Sequence, residues 1–286
     1  MTTEQASPSH ELISFVNSVV ERARVKEAAA GAADSEELPD LAQLPLWPPE
    51  VRAMPNDYAR SALFTVRNKR EPRQALKNFE IFHIHGDVTI SYSGEELRAD
   101  DDELVWLQVL EFAKHFPLDS PVEFSTYQLC KQLGWPTNGT YYAKAEASLM
   151  RLKEGTIKIR SKRLRKLSGL SLIRRFTILD QGTRRARCQV YIEREMFYLF
   201  SGNHYTQFLW HKYRKLRPIT RRLYDYFGSH KQPFPLKLAT FNKLCASNCS
   251  RANKWAEMTR EACTELVSAG LVQSAWVEDG MIRCAR

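Results

Sequence analysis

Two histidines and a downstream tyrosine are the residues whose spacing could support catalysis in this chain of 286 residues. His83 and His85 alternate along a predicted strand, so both imidazoles would lie on one face and could hold a divalent metal. Rolling-circle nickases use this spacing, and Tyr127 with Lys131 could supply the nucleophile and a helper cation. However, Tyr127 falls in a short predicted helix where its counterpart in an internal repeat is Phe241, which predicts a core position. A metal-dependent nickase is therefore kept only as an alternative.

The other candidate ligand sites are explained without a ligand. The acidic run at 98–103 stands where a helix begins, and aspartates there favour the positive end of the helix dipole. The sequence has no G-x-x-x-x-G-K-[ST] motif, which excludes a P-loop ATPase or helicase. No two of the six cysteines have Cys-x-x-Cys spacing, and we expect free thiols in a reducing compartment. We predict a non-enzyme with no metal, no cofactor and no catalytic residue.

The charge of the chain is divided between an acidic leader and a basic body. The net charge of +9 consists of −6 over residues 1–50 and +15 over the remaining 236 residues. A folded body this basic indicates an anionic polymer as partner, although solubility alone is the simpler explanation. The chain shows no signal peptide and no apolar run long enough to span a membrane, so we expect a cytoplasmic protein.

An internal repeat predicts the architecture. Cys130 and Gly155 are 25 residues apart, and so are Cys245 and Gly270. Each copy has a predicted strand, a short helix, a turn, a long helix that ends at the glycine, and a β-hairpin, which is the plan of a winged helix. We therefore predict an α+β protein with two tandem winged-helix domains (helix-turn-helix plus β wing) at 51–203 and 204–286. They follow a flexible N-terminal segment, 1–50, with an amphipathic helix and an acidic, proline-rich linker.

The two long helices are the predicted DNA-recognition elements, because Asn, Arg and Lys at a helix start suit base edges and phosphates. Two basic clusters add to them: the run after the first helix, which could be strand, wing or loop, and the start of a later helix, where arginines favour phosphate binding. The alternative for each helix is a solvated basic face. The predicted DNA-binding residues are Asn138, Thr140, Tyr141, Lys144, Arg151, Lys158, Arg160, Lys162, Arg163, Arg165, Lys212, Arg214, Lys215, Arg217, Arg221, Arg222, Ser250, Arg251, Asn253 and Lys254.

Five long blocks resemble the TrfA-type plasmid replication initiators. They are RAMPNDYARSALFTVRNK (52–69), ELRADDDELVW (96–106), RRLYDYFGSH (221–230), PLKLATF (235–241) and EACTELVSAGLVQSAWV (261–277). The resemblance covers about residues 46–286 and implies two winged-helix domains that bind direct repeats (iterons) in double-stranded plasmid origin DNA, with single-stranded origin DNA as a further candidate ligand. It also implies a bacterial, plasmid-encoded protein that helps the host initiator and the replicative helicase to open the origin. Monomers would be active, and a homodimer in equilibrium with them would limit copy number.

The same resemblance suggests a contact with the polymerase sliding clamp. Members of the family carry a peptide similar to Gln-Leu-x-Leu-Phe in the linker, and here QLPLW has that form through Gln43, Leu44, Leu46 and Trp47. The alternative is a linker tryptophan that docks on its own domain. The other functional alternative is a winged-helix transcriptional regulator that binds DNA but does not open an origin.

Overall fold

The computed structural model describes residues 43–117, 119–163, 165–180 and 186–285. The predicted N-terminal helix and most of the acidic linker lie outside these residues. None of the helices in the described ranges is long and apolar enough to cross a membrane. The mixed helices and antiparallel strands agree with an α+β class.

A buried helix forms the centre of the N-terminal half, by which we mean the described residues up to Tyr213. Helix α2 (Asp102–Ala113) is apolar on most of its circumference, and nearly all of its residues are buried. Asp101 caps it by accepting a hydrogen bond from the Asp102 amide. Strand β1 (Val51–Pro55) pairs with β9 (Tyr205–Leu209), which returns the chain to the start of the fold after about 150 residues. The short elements around this core are α1 (Asn56–Ala59), α5 (Arg194–Phe197), a 3₁₀ helix (Tyr198–Asn203) and α6 (Trp210–Tyr213).

Both copies of the predicted repeat adopt the same arrangement. The first copy consists of β4 (Val122–Phe124), α3 (Thr126–Leu133), α4 (Gly139–Glu154), β7 (Arg175–Leu179) and β8 (Arg187–Tyr191), with strand order β4-β8-β7. The second consists of β10 (Leu236–Lys237), α8 (Leu238–Leu244), α9 (Ala252–Ser268), β11 (Ser274–Glu278) and β12 (Met281–Ala285), with strand order β10-β12-β11. In each copy the last strand therefore pairs with the first, and the hairpin closes beside the two helices.

The hairpin directly after α4 is not the counterpart of the second copy's hairpin, contrary to our expectation from the sequence. Strands β5 (Thr156–Ser161) and β6 (Arg165–Leu170) instead join β2 (Ala75–Ile81) and β3 (Thr89–Glu95) in a separate four-stranded sheet. They are an insertion between α4 and β7. The basic run after the first long helix therefore lies in β5, the turn after it and β6, outside the hairpin that resembles a wing.

The C-terminal half, from Leu216 onwards, has its own buried cluster around Leu223, Phe241 and Trp255. Helix α7 (Pro218–Gly228) starts with proline, whose fixed φ favours the first position of a helix. Because β9 pairs with β1, residues 205–209 pack with the N-terminal half, and the two buried clusters divide after Tyr213. The predicted boundary at 203 lies earlier, and the division into two domains stays a prediction.

Candidate nucleic-acid interface

Of the two long helices, α9 has the more exposed polar side chains at its start. Ser250, Arg251, Asn253 and Lys254 are all exposed. Arg251 is the N-cap residue and no side chain caps the helix, so amides of the first turn are available to an anion. Trp255 anchors the helix to the core: it is buried and donates a hydrogen bond from Nε1 to the Leu238 carbonyl at 2.9 Å. These contacts fix the helix on α8 while its first turn faces outward.

The charged groups of this turn are only weakly engaged. Lys254 Nζ lies 3.0 Å from Glu257, but both side chains are about half exposed. Such a pair contributes little and can exchange for a phosphate. The Arg251 guanidinium makes no ion pair within the described ranges. The turn can therefore supply two cations to a ligand without breaking a buried contact.

Two lysines that we did not predict flank the same surface. A groove of about 700 Å³ runs between α8, the start of α9 and the β11–β12 turn, and Lys237, Lys243 and Ser250 line it. Both lysines are exposed. Their positions are not apparent from local sequence, because Lys237 belongs to a two-residue strand whose partner β12 is 44 to 46 residues away.

The corresponding surface of α4 is more occupied. Asn138 is exposed and caps the helix, accepting a hydrogen bond from the Tyr141 amide at 3.2 Å. Thr140 is also exposed, whereas the Tyr141 ring is half-buried against Trp135. Lys144 lies over the Trp135 ring at 4.5 Å and 3.6 Å from Asp100. Three of these four side chains, those of Asn138, Tyr141 and Lys144, therefore already have protein partners.

Arg151 was predicted to contact DNA, and the structure contradicts this prediction. Its guanidinium donates to Asp102 Oδ1 through Nε at 3.0 Å and Nη2 at 2.9 Å, and its side chain is 12% exposed. Burial and the neighbouring Asp101 raise the pKa of Asp102 to about 6. Arg151 is thus a structural residue that offsets the charge of a buried carboxylate.

The predicted phosphate site at the start of α7 is also wrong, for two reasons. Arg221 and Arg222 are 3% and 0% exposed, and both pair with the buried Glu103 of α2. In addition, the carboxylate of Glu265 occupies the helix start: it accepts hydrogen bonds from the Arg217 amide at 3.0 Å and the Thr220 hydroxyl at 2.5 Å. An anion from the protein already fills the position where we expected a phosphate.

All but one of the remaining residues of that cluster contact other parts of the protein. The Arg217 side chain pairs with Glu261 at 2.7 Å and Glu265 at 2.8 Å. Lys212 donates to the Gly270 carbonyl, and the Arg214 guanidinium lies against Gly134, where a Cβ atom would collide with it. Lys215 alone of this cluster is exposed with no ion pair among the described residues.

The basic residues after α4 divide into exposed and engaged groups. Lys158 and Arg160 of β5 and Lys162 of the following turn are exposed. Arg163 instead pairs with Asp57 at 2.6 Å and donates to the Tyr198 carbonyl. The side chain of Arg165 lies outside the described part of the structure. Lys158 and Arg160 therefore stay DNA-binding candidates, but on the four-stranded sheet rather than on a wing.

The predicted clamp-binding segment is docked on the protein itself, so the expectation of a freely presented peptide is wrong. Leu44 and Trp47 are 1% and 3% exposed, whereas Gln43 and Leu46 are exposed. Trp47 Nε1 donates to Glu111 at 2.6 Å, and its carbonyl accepts from Lys114. Of the three apolar side chains expected to fill a partner's pocket, Leu44 and Trp47 are therefore part of the core and only Leu46 is exposed.

Replacing Trp47 with phenylalanine should lower the free energy of unfolding by about 1–2 kcal/mol, because the hydrogen bond to the buried Glu111 carboxylate is lost. Urea unfolding of the full chain measures this change. Leu46→Ala, in the same segment but 65% exposed, is the matched control and should stay within about 0.5 kcal/mol. Equal, negligible effects would mean that the segment is not docked in solution.

The histidine and tyrosine candidates for nicking chemistry are not brought into one site. His83 and His85 lie in the connection between β2 and β3 rather than within a strand, and His83 Nδ1 contacts the backbone of His85. They line a pocket of about 350 Å³ to which Tyr127 does not contribute.

Tyr127 is also not the core residue that we predicted, since it is 49% exposed. The offset that aligns Cys130 with Cys245 places Tyr127 opposite Asn242, not Phe241. Within the described ranges, no three His, Cys, Asp or Glu side chains are arranged to hold a metal ion.

Comparisons with known proteins complete this description. A family model described as "TrfA protein" matches residues 11–286. The chain is 55% identical over 240 residues to a plasmid replication initiator protein TrfA from Escherichia coli, covering 84% of this chain and 63% of that relative's length. A crystal structure of domains 2 and 3 of RctB has a TM-score of 0.52 at 13% identity and covers 80% of this chain and 96% of its own. A second structure of the same RctB domains has a TM-score of 0.49 at 14% identity and covers 77% and 92%.

Proposed function

Because this chain belongs to the TrfA family, we propose that it is a plasmid replication initiator that binds the direct repeats of a plasmid origin. The observation that carries the proposal is the repeated unit of strand, short helix, long helix and hairpin, with matching strand orders in the two copies. We interpret both units as winged helices, in which α4 and α9 enter successive major grooves and the closing hairpins reach phosphates.

The two copies would have different roles in DNA recognition. The open first turn of α9, with Arg251, Asn253 and Lys254, suits base edges and phosphates, so we assign it the larger share of sequence specificity. The front of α4, where Lys144 is held by Trp135 and Asp100, suits backbone contact and positioning. Lys158 and Arg160 on the four-stranded sheet, with Lys162 in the turn after β5, would add sequence-independent affinity.

Binding at the origin would serve assembly rather than catalysis. In this proposal the bound protein promotes origin opening, exposes single-stranded origin DNA, and recruits the host initiator, the replicative helicase and the polymerase sliding clamp. In this proposal the clamp contact does not use Leu44 and Trp47, because both side chains are buried. A shift between active monomers and inactive homodimers would control copy number.

A plasmid-maintenance assay tests this function directly. A plasmid that carries only the cognate origin and a selectable marker should replicate when this protein is supplied and be lost without it. A footprint of the purified protein on the same origin should show protection repeated at the spacing of the direct repeats. Protection without replication would favour the alternative, a winged-helix transcriptional regulator.

The nickase alternative requires its own experiment. Supercoiled origin DNA incubated with the protein and Mn²⁺ should stay supercoiled. Nicked product that disappears in a Tyr127→Phe variant would contradict the assignment of a non-catalytic role.

A further inference from the structure

We propose that the loop at residues 67–73 of the N-terminal half places Lys69 and Arg70 on the backbone phosphates of duplex DNA beside the first turn of α9. The recognition surface of the C-terminal half would then include two residues from the other half of the protein. This inference rests on the proposed function, and it names two contact residues that the sequence did not suggest.

The loop is attached to the turn that leads into α9. Both carboxylate oxygens of Glu71 lie within hydrogen-bond distance of Asn248 Nδ2, at 2.7 and 2.6 Å. Just before the loop, the Val66 amide donates to the Cys245 carbonyl at 2.7 Å. Asn248 stands three residues before Arg251, the N-cap residue of α9. The loop therefore lies directly beside the exposed helix start.

A buried arginine holds the same loop from the protein interior. Arg98, which is 4% exposed, donates to the carbonyls of Asn68 at 3.3 Å, Glu71 at 3.0 Å and Pro72 at 3.3 Å. Within the loop, the Arg70 amide donates to Asn68 Oδ1 at 3.0 Å. Because these bonds turn the carbonyls inward and fix the backbone, little conformational entropy remains to be lost when a ligand binds.

Some charged side chains of the loop form ion pairs within the protein, and others are free to bind a ligand. Arg67 lies 3.6 Å from the buried Glu96, and Arg73 pairs at 2.7 Å with the carboxylates at the start of α2. Glu71, the single acidic residue of the loop, is engaged with the turn before α9. Lys69 and Arg70 are exposed and form no ion pair with any described residue. The rigid loop thus offers two free cations and no free carboxylate.

The position of these cations indicates their ligand. Phosphates line both edges of the groove that a recognition helix enters, so cations beside the helix start meet backbone rather than base edges. Neutralising two phosphates releases counterions and steepens the salt dependence of binding. An acidic protein partner could bind the same two cations. In that case, removing Lys69 and Arg70 would leave the salt dependence of DNA binding unchanged.

A salt titration of the full chain tests the contact. The double variant Lys69→Gln, Arg70→Gln is compared with the wild type on two labelled duplexes, one from the cognate origin and one of mixed sequence, between about 50 and 200 mM KCl. We expect the slope of log K against log salt to become shallower by about 1.8 on both duplexes, and the affinity at about 200 mM KCl to fall about tenfold. Lys77→Gln, Lys231→Gln removes two other exposed lysines and should leave both values unchanged.

Phosphate ethylation interference on the origin duplex locates the contact. One or two phosphates next to the base pairs covered by α9 should interfere with wild-type and control binding but not with binding of the Lys69, Arg70 variant. An unchanged slope on both duplexes would overturn the inference, even if the origin is bound specifically. Conversely, a wild type that fails to prefer the origin duplex would contradict the proposed function, while the mixed-sequence slopes would still decide the loop contact.

Discussion

Replacing Arg222 with methionine is expected to lower the free energy of unfolding by about 3–5 kcal/mol, because it leaves buried carboxylates without their counter-ion. Arg222 is fully buried, and its Nη1 lies 2.6 Å from Asp225 and 3.2 Å from Glu103. Its Nη2 also donates to the Ser61 carbonyl. Since Glu103 belongs to α2 and Arg222 to α7, the substitution should weaken the contact between the two halves as well as the core. Urea unfolding of the full chain measures the loss.

The loss in the free energy of unfolding that we expect for the Arg222→Met variant should depend on pH. Burial and the neighbouring Glu103 raise the pKa of Asp225 well above its ordinary value of 3.8, and the Arg222 guanidinium opposes this shift, so removing it should raise the pKa further. Without the arginine, the folded protein would hold a proton there that the unfolded chain releases above about pH 4. A carboxyl group whose pKa is raised on folding stabilises the fold below its unfolded pKa and loses that contribution as the pH rises. The deficit should therefore be smaller at pH 5 than at pH 7.

Arg217→Met provides the matched control on the same helix. Arg217 also pairs with two carboxylates, those of Glu261 and Glu265, but its side chain is 47% exposed. We expect a loss within about 1 kcal/mol, because water solvates the remaining charges. If the two variants lost the same small amount, the buried cluster would not join the halves in solution.

Sequence alone could not distinguish these two kinds of arginine. The run from Lys212 to Arg222 looks uniformly basic, yet Arg222 is buried, Arg217 is paired and Lys215 is exposed. The partner of Arg222, Glu103, is 119 residues away. A charge pattern reports how many cations a segment carries, and only the tertiary structure shows which of them already have a partner.

Local patterns, by contrast, predicted the local elements well. Pro218 starts α7, and Asp279 and Gly280, both with positive φ, form the tight turn of the last hairpin, as expected from their backbone preferences. The repeat also placed α4 and α9 correctly. What failed was strand pairing. Strand β5 follows α4 directly, but it pairs with β3, whose residues lie 63 to 71 positions earlier in the chain, from Ser93 opposite Thr156 to Thr89 opposite Arg160. Such non-local pairing leaves no mark in the sequence of either strand.

Replacing Arg251 or Lys254 with alanine should weaken binding to the cognate origin duplex by about 1–3 kcal/mol for whichever residue reads a base edge. Both side chains are exposed at the uncapped start of α9, and the Lys254 pair with Glu257 is solvated. Base-edge contacts matter only on the correct sequence, so affinity for a mixed-sequence duplex should fall much less. Competition titrations with the two duplexes measure this difference.

Two controls separate base reading from general charge loss. Arg260→Ala removes an exposed cation from the same helix, about 9 Å or more beyond Lys254 along its axis, and should change neither affinity nor specificity appreciably. Lys144→Ala, in the second turn of α4, should reduce binding to both duplexes about equally, because Lys144 is assigned to the backbone. If neither Arg251→Ala nor Lys254→Ala lowered the preference for the origin, α9 could not be the helix that reads the sequence.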